Sequence, residues 1–197
     1  AKSMVEAEQK KKGEEILSPE GIGTVEKIDS MLASAEVKLH LEIGCSLAAT
    51  DPGTAITHLQ YAKPVFSDWW VFNYYMGIAY LTKEDFARAK TFFERTLELF
   101  SGCHEAFERL ADVYYHFAEY DKVYESLENS LKINPNNGEV LGKLIIIADK
   151  VGKLDKVAGL IKHAKELDQS NDYVLKAELL LGKKSPKKDK GAVEREE

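Results

Sequence analysis

The sequence predicts an all-α fold, a right-handed superhelical solenoid of antiparallel helix pairs with about four repeats and a C-terminal capping helix. Three observations predict it. Apolar residues recur at helical spacing from about 24 to 181, no segment alternates as a strand does, and a period of 34 residues aligns most of the chain with itself. A chain of 197 residues is long enough for one such array.

The two ends of the chain are predicted to lie outside the repeats. Residues 1–23 are rich in Lys, Glu and Gln and end in a Pro- and Gly-containing loop signal, so they are expected to form a flexible lead-in. Residues 24–35 have the spacing of an amphipathic helix, for which Thr24 is a suitable N-cap. Residues 183–197 are charged and are expected to be a disordered tail.

Three independent registers support the repeat, because each places small or apolar residues 34 positions apart. The registers are Ala55, Ala89, Val123 and Val157; Leu59, Phe93, Leu127 and Ile161; and Ala62, Thr96, Ser130 and Ala164. The solenoid is therefore predicted at 36–182, with repeats at 36–69, 70–103, 104–137 and 138–171 and a cap at 172–181.

A motif in the first helix of the repeats carries a family resemblance. Its best copy is Met76-Gly77-x-x-Tyr80, which is followed in the second helix by Ala89-x-x-x-Phe93. This pattern resembles the tetratricopeptide repeat (TPR), in which a small residue lets the helices approach closely while aromatic side chains fill the adjoining groove. The resemblance covers about 36 to 181 and implies that the stacked helix pairs form one continuous core.

The resemblance also implies a binding function. Proteins of this family bind a peptide or helix of a partner along the concave face, which the first helix of each repeat lines. Carried over position by position, this face would hold Leu41, Cys45, Val71, Tyr74, Ile78, Leu81, Glu105, Glu108, Asp112, Tyr115, His116, Glu139, Ile146 and Asp149. Its N-terminal half is apolar and its C-terminal half acidic, which suits a ligand with an apolar anchor followed by basic residues. Arg109 and Lys143 are the obvious cations near it, too few among the acids for a clamp on a C-terminal carboxylate.

Two alternatives stay open at this point. The helix at 24–35 can lie in the apolar half or extend the solenoid, in which case Val71, Tyr74 and Ile78 are buried core. The chain can also be the TPR region of a larger enzyme or of a secretion or assembly machine, with catalysis elsewhere.

An S-adenosylmethionine-dependent enzyme is a more distant alternative. Glu42-x-Gly44 is similar to the turn after the first strand of a methyltransferase, but no second glycine and no second strand follow it. Cys45 and Cys103 lack the spacing of a zinc site, and the five histidines lie at unrelated positions. The sequence therefore predicts a non-catalytic protein without metal or cofactor.

Charge and composition narrow the class of partner. The chain carries 27 basic and 33 acidic side chains, a formal net charge of −6, which disfavours nucleic acid and anionic lipid. No run approaches the roughly 20 apolar residues of a membrane span. Two cysteines without close spacing fit a reducing, cytoplasmic compartment. The predicted partner is therefore a protein or peptide.

Overall fold

A computed structural model describes the backbone at residues 19–167 and 169–184, and the side chains at 33–167 and 169–182. Every element in these ranges is a helix, and there are ten of them. In chain order they are α1 (Pro19–Leu47), α2 (Pro52–Phe66), α3 (Trp70–Thr82), α4 (Phe86–Leu99), α5 (His104–His116), α6 (Tyr120–Ile133), α7 (Gly138–Lys150), α8 (Leu154–Val157), α9 (Leu160–Leu167) and α10 (Asp172–Lys184).

The helices form successive pairs that stack along the chain. The end of α1 pairs with α2, α3 with α4, α5 with α6, and α7 with α8 and α9. Each later pair also packs on the one before it, and α10 closes the array against α7 and α9. The predicted fold class, an all-α solenoid of antiparallel helix pairs, is confirmed.

The helix pairs depend on a small residue where the helices cross. A Cβ atom added to Gly77 in α3 would lie 2.6 Å from Cε1 of Phe93 in α4, a distance that real Cβ atoms do not reach. Phe93 is fully buried there. Glycine at this position thus lets the aromatic ring fill the space between the helices, as the TPR-like motif predicts.

The turn inside the last three helix pairs repeats in its backbone as well as in its sequence. Glu84, Ala118 and Gly152, each 34 residues apart, have φ angles of 59°, 57° and 70°. Because such left-handed angles favour glycine, the two earlier repeats hold this turn with some backbone strain. The same backbone turn therefore recurs with the 34-residue period, although the residue type at this position differs between repeats.

The first helix differs from the prediction. The loop expected before Thr24 and the separate helix at 24–35 are replaced by one helix, α1, which runs from Pro19 to Leu47. Proline is accepted in the first turn of a helix, where its missing N–H leaves no bond unmade, and no second proline follows it before Pro52. The lead-in up to residue 18 and the tail from 185 lie outside the described residues.

The second helix of the fourth repeat also differs, because it is split into α8 and α9 around Ala158 and Gly159. The buried residues Val157 and Ala164 still occupy the predicted registers on either side of the split. The packing pattern therefore continues across the break, although the helix does not.

Candidate functional site

A cleft of about 450 Å³ opens between α5, α6, α7 and α10. Its size falls within the range of small-ligand and side-chain pockets, roughly 300 to 1,000 Å³. The lining residues are the apolar Ala111, Val123, Leu127, Ile146 and Ile147 and the polar or aromatic Asp112, Tyr115, Lys143, Tyr173 and Lys176. An apolar floor with a polar rim is the usual composition of a recognition site.

The wall that α10 contributes is positioned by a glycine in α7. A Cβ atom on Gly142 would lie 2.7 Å from the backbone carbonyl carbon of Tyr173 and from the backbone nitrogen of Val174. Backbone atoms cannot move aside as a flexible side chain can, so α10 approaches this closely only because residue 142 is glycine. Val174 and Ala177 are fully buried against the last repeat and hold the helix in place.

A row of polar contacts crosses the first helices of successive repeats at this surface. The guanidinium of Arg109 lies close to the hydroxyl of Tyr74 on α3, and its Nη1 lies 3.3 Å from Oδ2 of Asp112. Asp112 in turn faces the ammonium of Lys143 on α7. Nζ of Lys143 is 4.8 Å from the centre of the Tyr173 ring on α10. The row therefore links α3, α5, α7 and α10.

Asp112 and Lys143, at the centre of this row, are partly buried, and burial acts on their pKa values in opposite directions. Loss of solvent around Asp112 raises the pKa of its carboxyl above the ordinary value, although Lys143 and Arg109 act in the opposite direction. Burial by itself lowers the pKa of Lys143, but a hydrogen bond to Glu139 and the charge of Asp112 outweigh it, so that this pKa is raised. The positive charge of Lys143 is thus offset by the carboxylates of Glu139 and Asp112.

Of the residues predicted for the binding face, three line this cleft: Asp112, Tyr115 and Ile146. Sequence reasoning treated α10 as a cap and so missed Tyr173 and Lys176. A signal for both was present, since they follow Glu139 and Gly142 by one period of 34 residues.

The apolar half of the predicted face is largely packed. Leu41 is only 6% exposed and belongs to the core cluster that contains Leu59 and Phe93. Tyr74 and Ile78 are half-buried against the same cluster, and the Tyr74 ring lies 5.9 Å from that of Phe93. Cys45, Val71 and Leu81 are also half-buried. Leu41 is therefore a core residue, whereas Val71, Tyr74 and Ile78, for which the sequence left a buried-core role open, are half-buried.

Glu108 and His116 make contacts away from the cleft. Oε1 of Glu108 accepts hydrogen bonds from Oγ of Ser130 at 3.0 Å and from Nδ2 of Asn137 at 3.2 Å. Since the side chain of Asn137 caps the start of α7, Glu108 fixes the junction between two repeats. His116 stacks on the ring of Phe86, with 3.6 Å between ring centres. These two residues hold neighbouring repeats together.

The other predicted acids do not line the cleft. Glu105 has a side chain that is 52% exposed, and it acts electrostatically on Tyr74 of α3. Glu139 pairs with Lys143 at 2.6 Å. Asp149 is half-buried near the end of α7. The acidic character predicted for this half is thus partly neutralised by cations.

Nucleophilic and metal chemistry finds no support in the described residues. Burial raises the pKa of Cys45 and of Cys103 to about 11, so both thiols stay protonated near neutral pH. No group of three or more His, Cys, Asp or Glu residues in the described part of the chain could hold a metal ion. Gly44 of the methyltransferase-like motif lies within α1, where a Cβ atom would be 2.6 Å from Cγ of Leu59, so it is a packing residue.

The paired helices, their period and their small crossing residues define a TPR-like solenoid. Solved structures share this fold. A MamA protein matches with a TM-score of 0.61 and 21% identity over 83% of this chain and 87% of that one. A MamA double mutant matches with a TM-score of 0.67 and 22% identity, over 76% of this chain and 85% of that one. YrrB is described as a TPR protein with an unusual peptide-binding site. It matches with a TM-score of 0.63 and 17% identity, over 74% of this chain and 78% of that one.

At these identities the likeness shows the fold alone. No protein-family model and no curated protein matches the sequence. Among the described helices, none has both the length and the apolar character needed to cross a membrane.

Proposed function

We propose that the chain is a non-catalytic interaction module that binds a peptide or helix of a partner protein in the cleft between α5, α7 and α10. The observation that carries this proposal is the open apolar floor. Ile146 on this floor is half-buried and Tyr115 beside it is 50% exposed, where they line a cleft of about 450 Å³. A large apolar side chain of a partner would remove the remaining surface from water, the typical role of an interface anchor.

Basic residues of the same partner segment would lie toward α3. Glu105 supports this orientation, because its carboxylate is more than half exposed and lies on the side of the second repeat. Exposed charges of this kind contribute more to orientation and association rate than to affinity. The ligand proposed is therefore an apolar anchor with basic residues on one side.

The structural likeness to YrrB supports a peptide ligand, since that protein is described as having a peptide-binding site. The protonated thiols agree with a binding role rather than catalysis. A repeat region within a larger enzyme or an assembly machine would use the same cleft. The cytoplasmic location and the lack of catalysis stay predictions.

A selection from random phage-displayed peptides tests the proposal. Ile146→Lys places a charge at the cleft, whereas Ile133→Lys makes the same change at the 40%-exposed end of α6 and serves as the control. Selected peptides should share a large apolar residue, bind the wild type and the control equally, and bind Ile146→Lys at least about tenfold more weakly by fluorescence anisotropy, since 1.4 kcal/mol corresponds to a tenfold change.

Thermal melting must first show that both variants are folded. Peptides that bind all three proteins equally, or that share no apolar residue, would contradict a site in this cleft.

A further inference from the structure

The rim of the cleft holds two lysines and one aspartate. The charge of Lys143 is already compensated, since its ammonium lies 2.6 Å from Oε1 of Glu139 and faces Asp112. Lys176 is exposed, and within the described residues no carboxylate lies within 4.0 Å of its ammonium. One positive charge at the α10 side of the cleft is therefore left without an acid.

Both ammonium groups approach the same aromatic ring. Nζ of Lys143 lies 4.8 Å and Nζ of Lys176 5.5 Å from the centre of Tyr173. Each is attracted by the ring face. Because Glu139 and Asp112 already offset the charge of Lys143, a carboxylate beside Tyr173 would pair with Lys176.

We propose that α10 is a specificity element of the cleft, which selects a partner segment with Asp or Glu next to its apolar anchor. The carboxylate pairs with Lys176 at the edge of Tyr173 while the anchor occupies the apolar floor. This inference rests on the proposed peptide binding and specifies the orientation of the bound segment in the cleft. The basic residues of the segment lie toward Glu105, and its acidic residue lies at α10.

An array of short peptides tests this inference. Each peptide is acetylated and attached through its C-terminus, so that no free terminal carboxylate competes. The central residue is Phe, Leu or Gly, and each of its neighbours in turn is Asp, Asn, Lys or Ala. The array is probed with the wild type, with Lys176→Glu, and with Lys162→Glu, a matched change at a lysine that is 87% exposed on α9 and does not line the cleft.

The expected result has two parts. Phe or Leu peptides with Asp on one side should bind the wild type and Lys162→Glu about threefold more strongly than their Asn counterparts, within the range measured for exposed ion pairs. Lys176→Glu should reverse this preference, so that the Lys peptides bind better than the Asp peptides. Added salt should reduce the preference for Asp, since screening weakens exposed pairs.

Two results would overturn the inference and leave peptide binding intact. One is equal binding of the Asp and Asn peptides; the other is the same change in Lys162→Glu as in Lys176→Glu, which would reflect net charge alone. If the Phe and Leu peptides bind no better than the Gly peptides, the proposed function itself fails, and this inference fails with it.

Discussion

The second and third repeats use the same position of the first helix in different ways. Ile78 and Asp112 are 34 residues apart, but Ile78 packs against the apolar clusters of the N-terminal half whereas Asp112 borders an open cleft. A repeat position thus does not have one fixed role. Its role depends on the side chains that the neighbouring helices bring to it.

The second helices of these two repeats differ in the size of one inner side chain. Phe93 fills the space against Gly77 in the second repeat. Its equivalent in the third repeat is the smaller Leu127, which faces Ala111 and borders the cleft. The smaller side chain occupies less volume, in keeping with the cleft beside it in the third repeat.

The largest effect expected from this comparison is the loss of Phe93. Phe93→Ala should lower the free energy of unfolding by about 3 to 5 kcal/mol, because it leaves a cavity in closely packed surroundings. Leu127→Ala should cost less, at the lower end of about 2 to 5 kcal/mol, because it removes a smaller side chain than the loss of the Phe93 ring. Urea unfolding of both variants measures the difference. A greater cost for Leu127→Ala would contradict the contrast between the two halves.

An intermediate effect is expected at the junction with α10. Gly142→Ala should lower stability by about 1 to 3 kcal/mol, the usual cost of overpacking, because the methyl group would displace the backbone of Tyr173. It should also weaken peptide binding, since α10 forms one wall of the cleft. Gly182→Ala is the control: no atom of the described residues lies within 4 Å of a Cβ placed there, so it should be neutral or stabilise by up to about 1 kcal/mol. Thermal melts that rank the two variants equally would argue against close packing of α10.

The smallest effect is expected at Asp112. Asp112→Ala should change stability by less than about 0.5 kcal/mol at neutral pH, because the side chain is 40% exposed and its partners are partly exposed as well. The same chemical-denaturation measurement used for Leu127→Ala checks it. A large loss with Asp112→Ala and none with Leu127→Ala would mean that the assignment of buried and open faces is reversed.

The pH dependence of Asp112→Asn refines this expectation. A pKa raised by burial means that folding favours the protonated carboxyl, so this contribution to stability is fully present below the ordinary pKa of 3.8 and is lost as pH rises through the folded value. Relative to the wild type, Asp112→Asn should therefore gain stability from pH 3 to pH 7. A difference in melting temperature that stays constant over this range would show that burial does not control this carboxyl.

Much of the fold could be predicted because its signals are local. Gly77 with Phe93, and the registers through Ala55 and Leu59, repeat at a fixed interval and require only helical periodicity to be recognised. The start of α1 could not be predicted in the same way. Pro19 is compatible both with a loop and with the first turn of a helix, and the surrounding residues do not decide between them.

The candidate site was predicted less completely. Asp112, Tyr115 and Ile146 follow from the repeat register, and Tyr173 and Lys176 would have followed from one further period. Leu41 could not be placed, since an apolar residue on the first helix suits both a groove and a core.

The sequence by itself determined the class of structure, namely paired helices, their period, and the small residues at their crossings. These features depend on the residue types within each repeat. Only the tertiary structure decided which inner positions are covered, that Glu108 joins two repeats, and that α10 closes a cleft with Lys176 at its edge. The physical reason is that burial and charge pairing depend on side chains from other helices, whose distances the order of residues does not give.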